Sequence, residues 1–119
     1  DREILERKAF LPPLGYFLSV CPNIADYAQR GIENWHDVLA AASLVRPMLG
    51  ISPDAWQRAR TAMGDVSAAV TVAAILQRAD AVRSPGGYLR ALTSRAEAGR
   101  FSVLPMLAAL ETKAASGDD

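Results

Sequence analysis

The stretch VSAAVTVAAILQRADA, running from Val66 to Ala81, decides the fold. Wound at 3.6 residues per turn, it is apolar around most of its circumference, and a helix with that property belongs in the centre of a domain. Its small side chains let other helices approach closely. The rest of the chain agrees: 22 of 119 residues are Ala, against three Phe, three Tyr and two Trp. Alanine has the best helix propensity and a small volume, so this balance against the aromatics favours closely packed helices over a sheet. The sequence therefore predicts an all-α fold, a compact bundle of about five to seven short helices.

Working outward, the helix starts are written in local chemistry. Asn34 is a helix N-cap with Asp37 three residues on, in the position of a capping-box acid. Trp35, Val38, Leu39, Ala42 and Val45 then form an inward stripe, and Pro47 ends or kinks that helix before Gly50. Ser52-Pro53-Asp54 combines a cap, a proline in the first turn and an acid near the positive helix end. It opens a helix with Trp56, Ala59 and Met63 inward and Gly64 as its stop. Asp65 is read as the cap of the central helix. Ser84-Pro85 repeats the cap-and-proline start, with Tyr88, Leu89, Leu92 and Ala96 inward and Gly99 as its end. The patterns Ser52-Pro53-x-x-Trp56-x-Arg58 and Ser84-Pro85-x-x-Tyr88-x-Arg90 lie 32 residues apart. The helix lengths between them do not repeat, so a bundle is preferred to a repeat array. Ser102 or Leu104-Pro105 opens a last helix with Met106, Leu107 and Leu110 inward. Upstream, Leu14 to Val20 reads as a short helix, and Ile24, Tyr27 and Ala28 as one face of a further turn or two closed by Gly31. Leu14, Tyr16, Phe17, Leu18 and Val20 cannot all point inward, which predicts surplus apolar surface for a partner. Residues 1–12 read as a linker or upstream helix tail, 13–112 as the domain and 113–119 as a disordered tail. The Asp1 start suggests a piece of a longer protein.

Composition also limits the chemistry. Thirteen basic and thirteen acidic side chains cancel, so there is no global attraction to nucleic acid or membrane. No apolar run approaches the roughly 20 residues of a membrane span, and the first ten residues lack a signal-peptide pattern. One Cys and one His do not supply an internal disulfide or a structural zinc site, and the cytoplasm is the expected compartment. His36 reads as an exposed helical residue, and Cys21 as a buried small hydrophobe with no neighbouring base to activate it. There is no nucleotide-binding glycine loop and no paired-carboxylate or metal spacing. No enzyme, metal or cofactor is expected. An arginine-bound phosphate substrate is the one enzymatic version worth an assay.

The charge distribution is more informative. Between Arg78 and Arg100 stand five arginines and two acids, Asp80 and Glu97, so this window is locally basic in a neutral chain. A helix N-terminus beside an arginine suits a phosphate. The candidate phosphate contacts are Arg83, Ser84, Gly86, Gly87, Arg90, Arg95 and Arg100. Arg90 and Arg95 are about 140° apart around a helix, so alone they do not make one patch. The bland alternatives are arginines paired with Glu97 or Asp80, and a Gly86-Gly87 pair that only allows close helix approach.

Several strings together carry a family resemblance. Val45-Arg46-Pro47-Met48-Leu49-Gly50-Ile51-Ser52-Pro53-Asp54-Ala55-Trp56 resembles a segment of the C-terminal domain of RepC, the replication initiators of RepABC-type plasmids of alphaproteobacteria. Cys21 to Tyr27, Ala73 to Arg78, Ser84 to Thr93 and Gly99 to Val103 resemble further stretches in the same order, covering roughly Leu14 to Leu110. The resemblance implies a fragment of a larger initiator whose N-terminal region, similar to a winged-helix module, is credited with origin binding. It implies no catalytic residues. It implies a non-catalytic accessory role in which plasmid origin double-stranded DNA is the partner, with Ser84 to Arg90 as the matching string. The alternative is a dimerisation or docking module for host replication proteins, without direct DNA contact.

Overall fold

Alanine-rich sequence becomes helix throughout. The protein, seen in a computed structural model, is described over residues 11–117, with side chains through Lys113. Most of the linker expected over residues 1–12 lies outside the described residues. Among the described residues there is no strand. The described residues hold six α-helices: α1 (Leu14–Val20), α2 (Trp35–Val45), α3 (Pro53–Met63), α4 (Asp65–Gln77), α5 (Pro85–Glu97) and α6 (Val103–Gly117), with 3₁₀ turns at Pro22–Tyr27, Arg46–Leu49 and Ala79–Ala81. This is the predicted all-α bundle. Its Cα radius of gyration, 13.5 Å, is about what a folded chain of this length has.

The caps expected at Asn34, Ser52 and Ser84 form as the sequence predicts. Asn34 Oδ1 accepts from the Asp37 amide at 2.9 Å, and the Asp37 carboxylate accepts from the Glu33 amide at 2.8 Å. Ser52 Oγ accepts from Ala55 N, and Ser84 Oγ from Gly87 N, both at 3.1 Å. The three contacts to Asn34, Ser52 and Ser84 satisfy N–H groups that the first turn of a helix leaves without intrahelical partners. After the 3₁₀ turn at Arg46–Leu49, Gly50 reverses the chain with φ 76°. The Arg46 guanidinium ties the turn down by donating to the Ile51 carbonyl.

α4 sits in the centre. Every residue from Ala68 to Ile75 is buried, and the helix packs against α2, α3, α5 and α6. Its boundaries differ from those read in the sequence. Gly64, with φ 90°, stands at its N-terminal boundary, and no side chain caps it. Asp65 is instead in the first turn, where its carboxylate holds Arg60 at 3.0 Å and faces the positive helix end. The helix stops at Gln77 rather than Ala81, and the chain tightens into a 3₁₀ turn before α5.

α3 and α5 run parallel, with α4 as the return between them. The contacts rise in step along both helices: Gly86 lies against Gly50 and Ile51, Arg90 against Ser52 and Asp54, and Glu97 against Arg58. Both buried threonines return their hydroxyls to their own helix, Thr71 Oγ1 to the Ser67 carbonyl and Thr93 Oγ1 to that of Leu89, each at 2.8 Å.

The surplus apolar surface expected around Leu14–Val20 is largely absorbed. Phe17 and Val20 are buried, and Leu14, Tyr16 and Leu18 pack half-buried against the core. This is possible because α1 lies on both the Pro22–Tyr27 turn and α6, so two faces of the helix are covered. Trp56 is buried as expected, and half-buried Trp35 packs on Phe17 with ring centroids 5.3 Å apart. The backbone of α6 stays helical through Gly117, past Lys113, where the sequence reading starts a disordered tail. Ala114 and Ala115 favour that continuation. Residues 118 and 119 are outside the described residues.

Candidate functional site

The arginines of the basic window separate according to the acids within reach. Arg58 donates twice to Glu97, through Nε at 3.0 Å and Nη2 at 2.7 Å. Hydrogen bonds from the Arg58 guanidinium, with its charge, hold the Glu97 carboxyl below the usual carboxylate range and raise the Arg58 pKa in return. Arg90 reaches across to α3, with Nη2 at 3.3 Å from Ser52 Oγ and 3.5 Å from Asp54 Oδ2. Arg60 pairs with Asp65 and lies 5.6 Å from the Trp56 ring centroid, a cation–π distance. Glu97 is therefore occupied by an arginine from outside the basic window.

Four arginines of the basic window remain. Arg78, Arg83, Arg95 and Arg100 have no side-chain hydrogen bond or ion pair among the described residues. Three of these, Arg78, Arg95 and Arg100, line one cleft of about 500 Å³ between α5 and α6. Tyr88, Leu92, Phe101, Ser102, Pro105 and Met106 contribute to its walls. The Nε of Arg78 is buried and has no hydrogen-bond partner.

The sequence-read set is thus divided. Arg95 and Arg100 come together in the cleft. Arg90 is turned toward α3. Arg83 is exposed at the approach to α5. Ser84 is occupied in capping, and Gly87 N is the donor to that cap. A Cβ on Gly86 would lie 3.4 Å from the Gly50 carbonyl oxygen, so this glycine marks close approach of the α5 start to the turn before α3. Arg78 and Phe101 were not among the candidates. Arg78 was nevertheless visible as the first cation of the basic window.

The other chemically notable residues stand apart. Cys21 is fully buried, and burial pushes its thiol up to about 12, leaving a protonated sulfur at neutral pH. His36 is exposed on α2. Among the described residues, no group of three or more His, Cys, Asp and Glu comes together as a metal site. Among the same residues, no helix is long and apolar enough to cross a membrane.

Fold and site define a small helical module whose main polar feature is an arginine-lined cleft. The chain belongs to the replication protein C family, whose C-terminal-region model matches residues 13–113. Two relatives whose names include replication protein C are similar over most of it. One, from Rhizobium rhizogenes, is 52% identical over 104 residues, covering 87% of this chain and 25% of the relative. The other, from Sinorhizobium fredii, is 47% identical over 108 residues, covering 90% and 26%. The chain therefore spans about a quarter of the length of these relatives. No solved structure matches it.

Proposed function

We propose that this chain is a non-catalytic accessory domain of a plasmid replication initiator, and that it holds phosphates of origin DNA through Arg78, Arg95 and Arg100, with Arg83 on the approach. The observation that carries this reading is the selective pairing. Arg58, Arg60 and Arg90 have acid partners, whereas the cleft arginines do not. Family membership supports the replication setting, and a cytoplasmic location belongs to the same proposal. Phosphate contact needs unpaired cations more than it needs a fixed base-reading geometry.

The test is binding of a labelled duplex to the 119-residue chain by fluorescence anisotropy at about 50 and 150 mM salt. Each neutralised phosphate contributes about 0.9 to the slope of log affinity against log salt. The double variant Arg95→Gln/Arg100→Gln should therefore bind more weakly and flatten that slope by about 2. No binding at about 50 mM salt, or an unchanged slope in the double variant, would remove the DNA reading.

A docking role is the second reading. It is favoured by Leu44 and Met48, which are 53% and 67% exposed on α2 and the turn after it. Leu44 also borders a shallow groove with Tyr27, Ala28, Ala40 and Ala41. A homodimer or a host replication protein would cover these side chains. Sedimentation of wild type and Met48→Glu discriminates: a dimer lost in the variant supports docking, and a concentration-independent monomer speaks against self-association.

A further inference from the structure

The cleft between α5 and α6 is lined by two kinds of side chain. Arg78, Arg95 and Arg100 are cationic. Tyr88 and Phe101 are aromatic, and both are half-buried. A volume of about 500 Å³ falls within the range of small-molecule sites. The buried Arg78 Nε is a donor with no acceptor, and buried donors without partners are rare enough to require an explanation. Nε itself is closed to solvent, so an anionic oxygen in the cleft would reach it only after the Arg78 side chain shifts.

A duplex fits only half of this description. Its phosphates can reach cations at the rim, but its bases are stacked inward and offer no ring to the aromatic side chains. An unpaired nucleotide offers both parts. Sites for single strands combine a cationic groove with aromatic side chains on which bases stack. We infer that this cleft takes one unpaired nucleotide of single-stranded DNA, with its phosphate on Arg78, Arg95 and Arg100 and its base against Tyr88 and Phe101. The inference rests on the phosphate-contact reading above and adds the base to it.

The experiment compares five ligands on the 119-residue chain at fixed low salt: a single-stranded oligodeoxynucleotide, an abasic strand of equal length, a duplex, a free 5′-mononucleotide and vesicles of anionic phospholipid. The strand with bases should bind about tenfold more tightly than the abasic strand, as one stacked base provides. Phe101→Leu keeps apolar volume in the wall and removes the ring, so it should erase most of that ratio while leaving abasic binding unchanged. Arg95→Gln, at an exposed position, should weaken both strands equally. Circular dichroism confirms that each variant is folded, and the abasic comparison itself needs no variant. Equal affinity for the two strands overturns the nucleotide inference and leaves phosphate contact standing. A free 5′-mononucleotide binding as tightly as the strand reassigns the cleft to a small molecule and overturns the strand. Binding to no nucleic acid, or only to vesicles of anionic phospholipid, overturns both readings.

Discussion

Arg58 and Arg90 occupy the same place in two copies of one local pattern, and each ends on an acid of the other helix. Arg58 of α3 holds Glu97 of α5, and Arg90 of α5 faces Asp54 of α3. The stronger pair has a pH signature. The Glu97 carboxyl is held below its ordinary value of 4.5 by the Arg58 hydrogen bonds and charge. Its folded pKa is thus below its unfolded pKa, so its contribution is fully present above pH 4.5 and disappears as pH falls through the lowered folded value. Both side chains are more than two-fifths exposed, and solvent screening keeps the contribution small. In urea melts, Glu97→Gln should be less stable than wild type at pH 6 to 7, and the gap should close toward pH 3. A gap that does not change with pH would mean that the pair contributes no ionic stabilisation. Cys21 makes a second residue-scale prediction. With its thiol buried and pushed up to about 12, labelling by a thiol reagent at pH 8 should be as slow as unfolding and should accelerate in urea. Fast labelling of the native chain would show that the sulfur is accessible.

At the scale of elements, the helix starts were legible and the ends less so. A cap involves residues three apart, so Asn34, Ser52 and Ser84 could be assigned from the sequence alone, and each accepts the expected backbone N–H. The end of α4 is set by tertiary demand: the chain must turn after Gln77 so that α5 can run parallel to α3. The hydrophobic pattern continues through Ala79 and Ala81 and does not announce that turn. The site was legible to the same degree. The angle between Arg90 and Arg95 already separated them on α5, and the structure sends one to α3 and the other to the cleft. The pairing of Arg78 with that cleft depends on packing between elements, which one-dimensional spacing does not contain. The caps give a direct test. Ser52→Ala and Ser84→Ala should each cost about 1 kcal/mol in urea denaturation. Gly87→Ala should also destabilise, because its Cβ would lie 3.0 Å from Ser84 Oγ and push the capping hydroxyl aside. A Gly87→Ala chain more stable than wild type would show that helix propensity outweighs the cap.

At the scale of the whole molecule, α4 is shared by four other helices, and this explains why it is built from alanine and valine. A helix covered on one side can carry large residues on that side. A helix covered nearly all round must keep every neighbour at close range, and each added methylene pushes one of them outward. Ala69 and Ala73 have no exposed surface, whereas Ala91 on α5 is exposed. The same substitution should therefore act differently at the two depths. Ala73→Leu adds volume where the interior is already filled and should cost about 1–3 kcal/mol through displaced neighbours. Ala91→Leu retains good helix propensity at a solvated site and should change stability by no more than about 0.5 kcal/mol. Urea denaturation followed by circular dichroism measures both. The dependence on urea should stay equal in the two variants if both unfold from the same compact state. The cleft should respond as well, because Arg78 follows the last turn of α4, Arg95 belongs to α5, and Arg100 precedes α6. Displacing α4 moves one part of the arginine set relative to the others, so on the proposed phosphate contact Ala73→Leu should weaken duplex binding under conditions where it is still fully folded, and Ala91→Leu should not. Equal stability of the two leucine variants would mean that α4 has room around it and is not the close-packed centre of the bundle.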